Sequence, residues 1–216
     1  MRSVKISYRQ INPHQIFHLQ FKNNYELCMT FIRLQEFYES HSNLFRNKYF
    51  ELEEYMDWYA RDLGNGNFTY TFDWGGFNVP SHILLNFIKA FKNNLRTWEQ
   101  DLLNVLTQHK IDMQSKFYII GTAKDSDKEA IPHETQHGLF YLYDEYRFEI
   151  ESIVKKYKLT RLRNALERQG YNKEVIVDEI QAYLLTSPAN HYKEESTKRL
   201  RKELKSATRK FFSKQS

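Results

Sequence analysis

Apolar residues recur at helical spacing along most of this 216-residue chain. In the stretch 25–40 they fall at positions 27, 28, 31 and 32, which puts them on one face of a helix. The same pattern, bounded by proline, glycine or polar residues, predicts further helices; they span 52–63, 81–93, 95–109, 132–148, 161–168, 173–186 and 194–212. Amphipathic helices bury their apolar faces against one another, so the sequence predicts a mainly helical protein.

Two shorter stretches have the composition of β-strands. Residues 68–74 (FTYTFDW) alternate aromatic and β-branched side chains before a turn predicted at GGFNVPS, and KFYIIG at 116–121 is the second strand. Helices with a small β-sheet predict an α+β fold, organised as a mainly helical single domain. We assign residues 1–190 to that domain and residues 191–216 to a basic C-terminal helix.

The composition is that of a compact protein rather than a disordered or membrane-spanning one. Hydrophobic residues make up 41% and aromatic residues 16%, against only 7 Gly and 4 Pro. Charges interrupt every apolar run before the roughly 18 residues that a membrane span needs. The first residues lack the apolar block of a signal peptide. We therefore expect no transmembrane segment, and either a cytoplasmic location or delivery by a route independent of a signal peptide.

Cysteine and charge limit the kinds of site and partner. Cys28 is the sole cysteine, which excludes an internal disulfide and a thiolate zinc cluster within this chain. The net charge of +5 is concentrated after Asn190, where nine Lys or Arg face three Glu. An acidic partner or an anionic surface is therefore a candidate ligand for the C-terminal tail alone. A solvated terminal helix is the alternative.

Two histidines four residues apart flank a glutamate in the segment HETQH, residues 133–137. On a helix this spacing turns His137 only about 40 degrees away from His133, so both imidazoles can hold one ion. Glu134 lies beside that edge, where its carboxylate can take a proton from a metal-activated water without being a ligand. The pattern predicts a zinc hydrolase. The alternative is that both histidines are structural, at the helix surface or hydrogen-bonded in the core.

A catalytic zinc site needs a third protein ligand and keeps one position open for water. Asp144 and Glu145 follow His137 on the same predicted helix at roughly 10 Å along its axis, too far to share its ion. A later helix is the better source, because its apolar stripe is interrupted by the acidic pair Asp178 and Glu179. A carboxylate embedded in a buried helix favours a nearby cation. Either acid of this pair, or another carboxylate, is a candidate third ligand.

These motifs resemble the gluzincins, the thermolysin-like branch of the zinc metallopeptidases, in which a glutamate on a helix downstream of HExxH completes the site. The resemblance implies a zincin-like active-site helix, with His133, His137 and Glu179 as zinc ligands and Glu134 as the general base. Two features depart from it: 41 residues separate His137 from Glu179, and Tyr183 stands where an acidic residue is usual. Tyr183 shares a helical face with Glu179, so it can donate a hydrogen bond to a developing oxyanion or simply pack.

Another zincin branch has a third ligand close to the motif, in the pattern HExxHxxGxxH or HExxHxxGxxD. This chain does not match it, because Phe140 stands at the glycine position and Tyr143 at the position of the last ligand. We therefore predict a zinc-dependent metallopeptidase that hydrolyses peptide bonds. One of the two predicted strands, at the sheet edge, would pair with the extended protein or peptide substrate. The alternative is a non-catalytic binding or scaffold protein with a structural or vestigial metal site and a basic tail.

Overall fold

The structure is a computed structural model that describes residues 4–11, 15–124, 130–168, 173–187 and 195–215. The predicted class, α+β and mainly helical with a small sheet, is confirmed. The strands are β1, Ser7–Ile11; β2, Ile16–Phe21; β3, Gly76–Pro80; and β4, Tyr118–Ala123. The helices are α1, Asn24–Glu39; α2, Leu52–Asp62; α3, Tyr70–Asp73; α4, Ser81–Phe91; α5, Thr97–Gln108; α6, Ala130–Leu142; α7, Asp144–Lys155; α8, Thr160–Arg168; α9, Ile176–Thr186; and α10, Glu195–Gln215.

The chain divides into two compact units, an N-terminal unit, Met1–Ala130, and a C-terminal unit, Ile131–Ser216. The boundary predicted at residue 190 lies outside the described residues. In the part of the chain that the structure describes, no helix is long and apolar enough to cross a membrane.

The N-terminal unit is built around a mixed four-stranded sheet in the order β1-β2-β4-β3. β2 pairs with β4 in parallel, while the edge strands β1 and β3 run antiparallel to their neighbours. Helix α1 packs on this sheet and is buried on nearly every side. Its one fully buried cation, Arg33, is neutralised by Glu99, with a nitrogen-to-oxygen distance of 2.6 Å. Pairing of this kind is what allows a charge to lie inside a core.

The prediction of a strand at 68–74 is wrong. Residues Tyr70–Asp73 form the one-turn helix α3, and the predicted turn GGFNVPS contains the strand β3 instead. If this segment were a strand, Tyr70 and Phe72 would lie on the same face, because they are two residues apart. Here Tyr70 is fully buried and donates its hydroxyl to Glu36, whereas Phe72 is 87% exposed. The aromatic alternation therefore does not mark one face of a sheet.

The substrate-pairing role predicted for these strands also fails. The second predicted strand, 116–121, overlaps β4, which is hydrogen-bonded on both sides and buried along its whole length. It has no free edge to offer. Neither β1 nor β2 was predicted from the sequence, although apolar and polar residues alternate over 17–21 (FHLQF) in β2, which is a strand signal.

The C-terminal unit is all helical in its described residues. α10 packs against α7 and α9 through its buried residues, Leu200, Leu204, Ala207 and Phe211. The predicted continuous helix 132–148 is in fact two helices, because Tyr143 is extended, with φ −118° and ψ 104°. This break lets the rings of both Tyr143 and Tyr146 pack on Phe211, at centroid distances of 5.0 and 5.1 Å.

Candidate metal centre

Helices α6 and α9 bring together the side chains of His133, His137 and Glu179. One ligand atom from each lies within 4.8 Å of the other two. The two Nε2 atoms are 3.2 Å apart, and the Glu179 oxygens lie 3.7 Å from His137 Nε2 and 3.9 Å from His133 Nε2. His137 and Glu179 are buried, while His133 is partly accessible. Within the described residues, no other three His, Cys, Asp or Glu side chains converge in this way.

The other ring nitrogen of each histidine is engaged, which determines the tautomer. His137 Nδ1–H donates to Asp178 Oδ2 at 2.9 Å. His133 Nδ1 lies 3.3 Å from the Thr186 hydroxyl oxygen. That hydroxyl donates its own proton to the Ala182 carbonyl at 2.7 Å, so its oxygen accepts from His133. Both Nε2 atoms are thereby left as the nitrogens available to a metal.

Burial and charge shift the two imidazole pKa values in opposite directions. Burial, together with the charge on His137, lowers the pKa of His133 to about 3. Burial acts the same way on His137, but the carboxylates of Asp178, Glu179 and Glu134 outweigh it and raise the pKa of His137 well above its ordinary value. The carboxylates therefore favour positive charge at this position.

The donor set fits zinc. Ligands held at about 2.0–2.2 Å in a tetrahedral arrangement lie about 3.3 Å from one another. The 3.2 Å between the imidazole nitrogens meets this spacing, and the 3.7 and 3.9 Å to the carboxylate are slightly longer. Two imidazoles and one carboxylate are a ligand set typical of catalytic zinc, with a fourth position left for water or substrate.

Glu134 and Tyr183, predicted to act in catalysis, both lie at this cluster. Glu134 is half-buried on α6, and its charge contributes to the raised pKa of His137. The Tyr183 ring packs edge-on against His133, with centroids 4.7 Å apart. Asp144 and Glu145, predicted to lie too far from His137 to share its ion, are exposed, and Asp144 pairs with Arg147 at 2.8 Å.

Sequence reasoning missed the residues that hold the ligands in place. Asp178 is one of the candidate ligands predicted from the sequence, whereas in the structure its carboxylate accepts from the outer nitrogen of His137. Thr186 lies outside the motifs that predict the site. Its position seven residues after Glu179, on the same face of α9, is a signal that helical spacing could have supplied.

No protein-family model, no curated protein and no solved structure matches this chain. The geometry of the cluster is therefore the basis for assigning a function.

Proposed function

We propose that this protein is a zinc-dependent metallopeptidase of gluzincin-like type. The observation that supports the proposal is the convergence of two imidazole Nε2 atoms and a buried carboxylate, with both outer nitrogens held by Asp178 and Thr186. Two unprotonated Nε2 atoms that face each other repel through their lone pairs. Placing them 3.2 Å apart is costly unless a cation or proton lies there.

In this proposal His133, His137 and Glu179 hold the ion. Zinc, when bound, would lower the pKa of a water molecule and polarise the scissile carbonyl. The Glu134 carboxylate takes a proton from the attacking water and passes it to the leaving amine. Tyr183, whose ring adjoins His133, has two candidate roles: its hydroxyl donates to the developing oxyanion, or its ring only packs.

Metal content and cleavage test this proposal together. Purified protein should hold about one equivalent of zinc, and His133→Ala should lose it. Glu134→Gln should retain zinc while peptide cleavage, measured on a peptide library, falls by about 100- to 10,000-fold. The matched control is His41→Ala, which removes an exposed histidine of the N-terminal unit and should leave both properties unchanged. Wild-type protein that takes up no zinc at micromolar supply contradicts the proposal.

A binding or scaffold function is the second candidate, and the exposed charge of α10 favours it. The exposed cations of this helix are Lys198, Arg199, Lys202, Lys205, Arg209, Lys210 and Lys214. Glu203 is the one acid of this helix whose side chain is described. Its carboxylate accepts a hydrogen bond from the Tyr157 hydroxyl at 2.6 Å. An acidic partner or an anionic surface is the ligand that such a helix would bind. This binding is compatible with catalysis. Zinc-free protein that retains it would favour the scaffold function alone.

A further inference from the structure

We infer that the C-terminal helix α10 supports the metal centre, because its Thr208 and Phe211 position Tyr146, which in turn orients His137 through Gln181 and Asp178. The identity of the ion rests on the proposed function. The hydrogen bonds that link these side chains into a chain do not depend on that function. The five residues outside the ligand set are positioning residues, since none of them belongs to the cluster of candidate ligands.

The inner half of the chain leads from His137 to Gln181. Both oxygens of the Asp178 carboxylate are used: Oδ2 accepts from His137 Nδ1 at 2.9 Å, and Oδ1 accepts from Gln181 Nε2 at 2.9 Å. A carboxylate only accepts, so the Gln181 amide must present its NH2 group to it. Gln181 Oε1 is therefore turned the other way. It lies 3.2 Å from the Tyr146 hydroxyl, which donates to it.

The outer half leads from Tyr146 to α10. The Tyr146 hydroxyl also lies 3.2 Å from Gln136 Oε1 and 3.1 Å from the Thr208 hydroxyl. The Thr208 hydroxyl donates its own proton to the Leu204 carbonyl at 2.9 Å, so the Thr208 oxygen and the two amide oxygens all face the single Tyr146 proton as acceptors. Phe211 holds the Tyr146 ring from the same helix, at a centroid distance of 5.1 Å. Helix α10 thus contacts Tyr146 through both its ring and its hydroxyl.

Burial makes this chain restrictive. Tyr146 is 1% exposed and Gln181 is fully buried, so water cannot replace a lost partner without rearrangement. A hydrogen-bonded network in a low-dielectric interior holds its members in one arrangement, because each alternative leaves a polar group unsatisfied. Groups that orient a metal-binding imidazole typically change metal affinity by about 10- to 100-fold when removed. We expect the effect to weaken with distance along the chain.

The test compares three full-length variants by their zinc dissociation constants, measured by competition with a chromogenic chelator. Asp178→Asn should weaken zinc binding by about 10- to 100-fold. Tyr146→Phe keeps the ring and removes one hydroxyl, and should weaken it by about 3- to 10-fold. The matched control is Tyr157→Phe, which removes a different tyrosine hydrogen bond to α10, the one to Glu203, and should stay within about twofold of wild type.

Equal effects of Tyr146→Phe and Tyr157→Phe overturn the inference. Thr208→Val repeats the test from the α10 side with an isosteric change, so a folding defect in one variant does not decide the result. If wild-type protein binds no zinc, the proposed function fails on its own. The chain is then tested in zinc-free protein by the ¹⁵N NMR signal of His137 Nδ1–H. A shift of that signal in Tyr146→Phe but not in Tyr157→Phe supports the inference, and an unmoved signal overturns it.

Discussion

His18, in β2, is a buried histidine whose surroundings are the opposite of those of His137. Its Nε2 lies 2.8 Å from the Thr122 hydroxyl, and its charged neighbour is Arg9 rather than a carboxylate. Burial, reinforced by the positive charge of Arg9, lowers the pKa of His18 to about 4. The same side chain is thus held neutral in the sheet, while at the candidate metal centre three acids favour positive charge on it. The neighbouring groups, not the residue type, decide whether a buried imidazole is neutral or charged.

The lowered pKa of His18 predicts acid sensitivity. The unfolded chain binds a proton at His18 below about pH 6.5, while the folded chain binds one only below about pH 4. The unfolded state therefore holds more protons in this window, and stability falls as the pH drops through it. The free energy of unfolding should lose about 1–2 kcal/mol between pH 7.5 and pH 5 through this residue.

Urea denaturation at the two pH values measures the effect, with His18→Gln as the comparison. The pH dependence of the variant should be smaller by that amount. If the free energy of unfolding depends on pH equally in wild type and in His18→Gln, His18 is not the source of the acid sensitivity. This holds whatever stability the variant loses at pH 7.5.

At the level of elements, α1 packs closely against β4. A Cβ atom at Gly121 would lie 2.6 Å from the ring of Phe31 and 3.0 Å from Leu27. Phe31 cannot easily move, because it is fully buried and stacked on Phe77 at 5.4 Å. The glycine is required here for the approach of a helix to a strand, not for an unusual backbone angle.

Gly121→Ala should therefore destabilise the protein by about 1–3 kcal/mol, the usual cost of overpacking a core. The measurement is urea denaturation followed by fluorescence. Gly75→Ala is the matched control, since nothing lies within 4 Å of a Cβ added there, and it should leave stability nearly unchanged. A neutral Gly121→Ala would mean that α1 can shift away from the sheet.

Elements defined by local periodicity were predictable, and those defined by distant contacts were not. The ends of α1, α2 and α9 lie within three residues of the predicted ends, because apolar spacing and helix-end residues are local signals. β3 was predicted as part of a turn, because its glycine and proline are local turn signals, whereas its pairing with β4 is a contact distant in sequence. The convergence of HETQH with Glu179 followed from chemistry and a family resemblance. The hydrogen bonds of Asp178 and Thr186 required knowing how α6 and α9 are turned.

At the level of the whole molecule, the positive charge is concentrated on one helix. The segment after Asn190 has nine basic and three acidic residues, so the rest of the chain is close to neutral. The inner face of α10 is used for packing through Leu200, Leu204 and Phe211, and every cation of the helix except Arg201 is exposed. A row of like charges on one face produces a local field that the net charge alone does not describe.

The position of this charge, rather than its sum, should determine binding to polyanions. Lys202→Glu, Lys205→Glu and Arg209→Glu together change the net charge from +5 to −1, and so does reversing three exposed lysines elsewhere, Lys89, Lys92 and Lys158. On a sulfated polyanion resin the α10 variant should elute at much lower salt than wild type, because each cation near an anionic surface contributes about 1 kcal/mol. The control should elute close to wild type, since its α10 cations are intact. Equal elution of the two variants would show that net charge is sufficient and that α10 is not a binding surface.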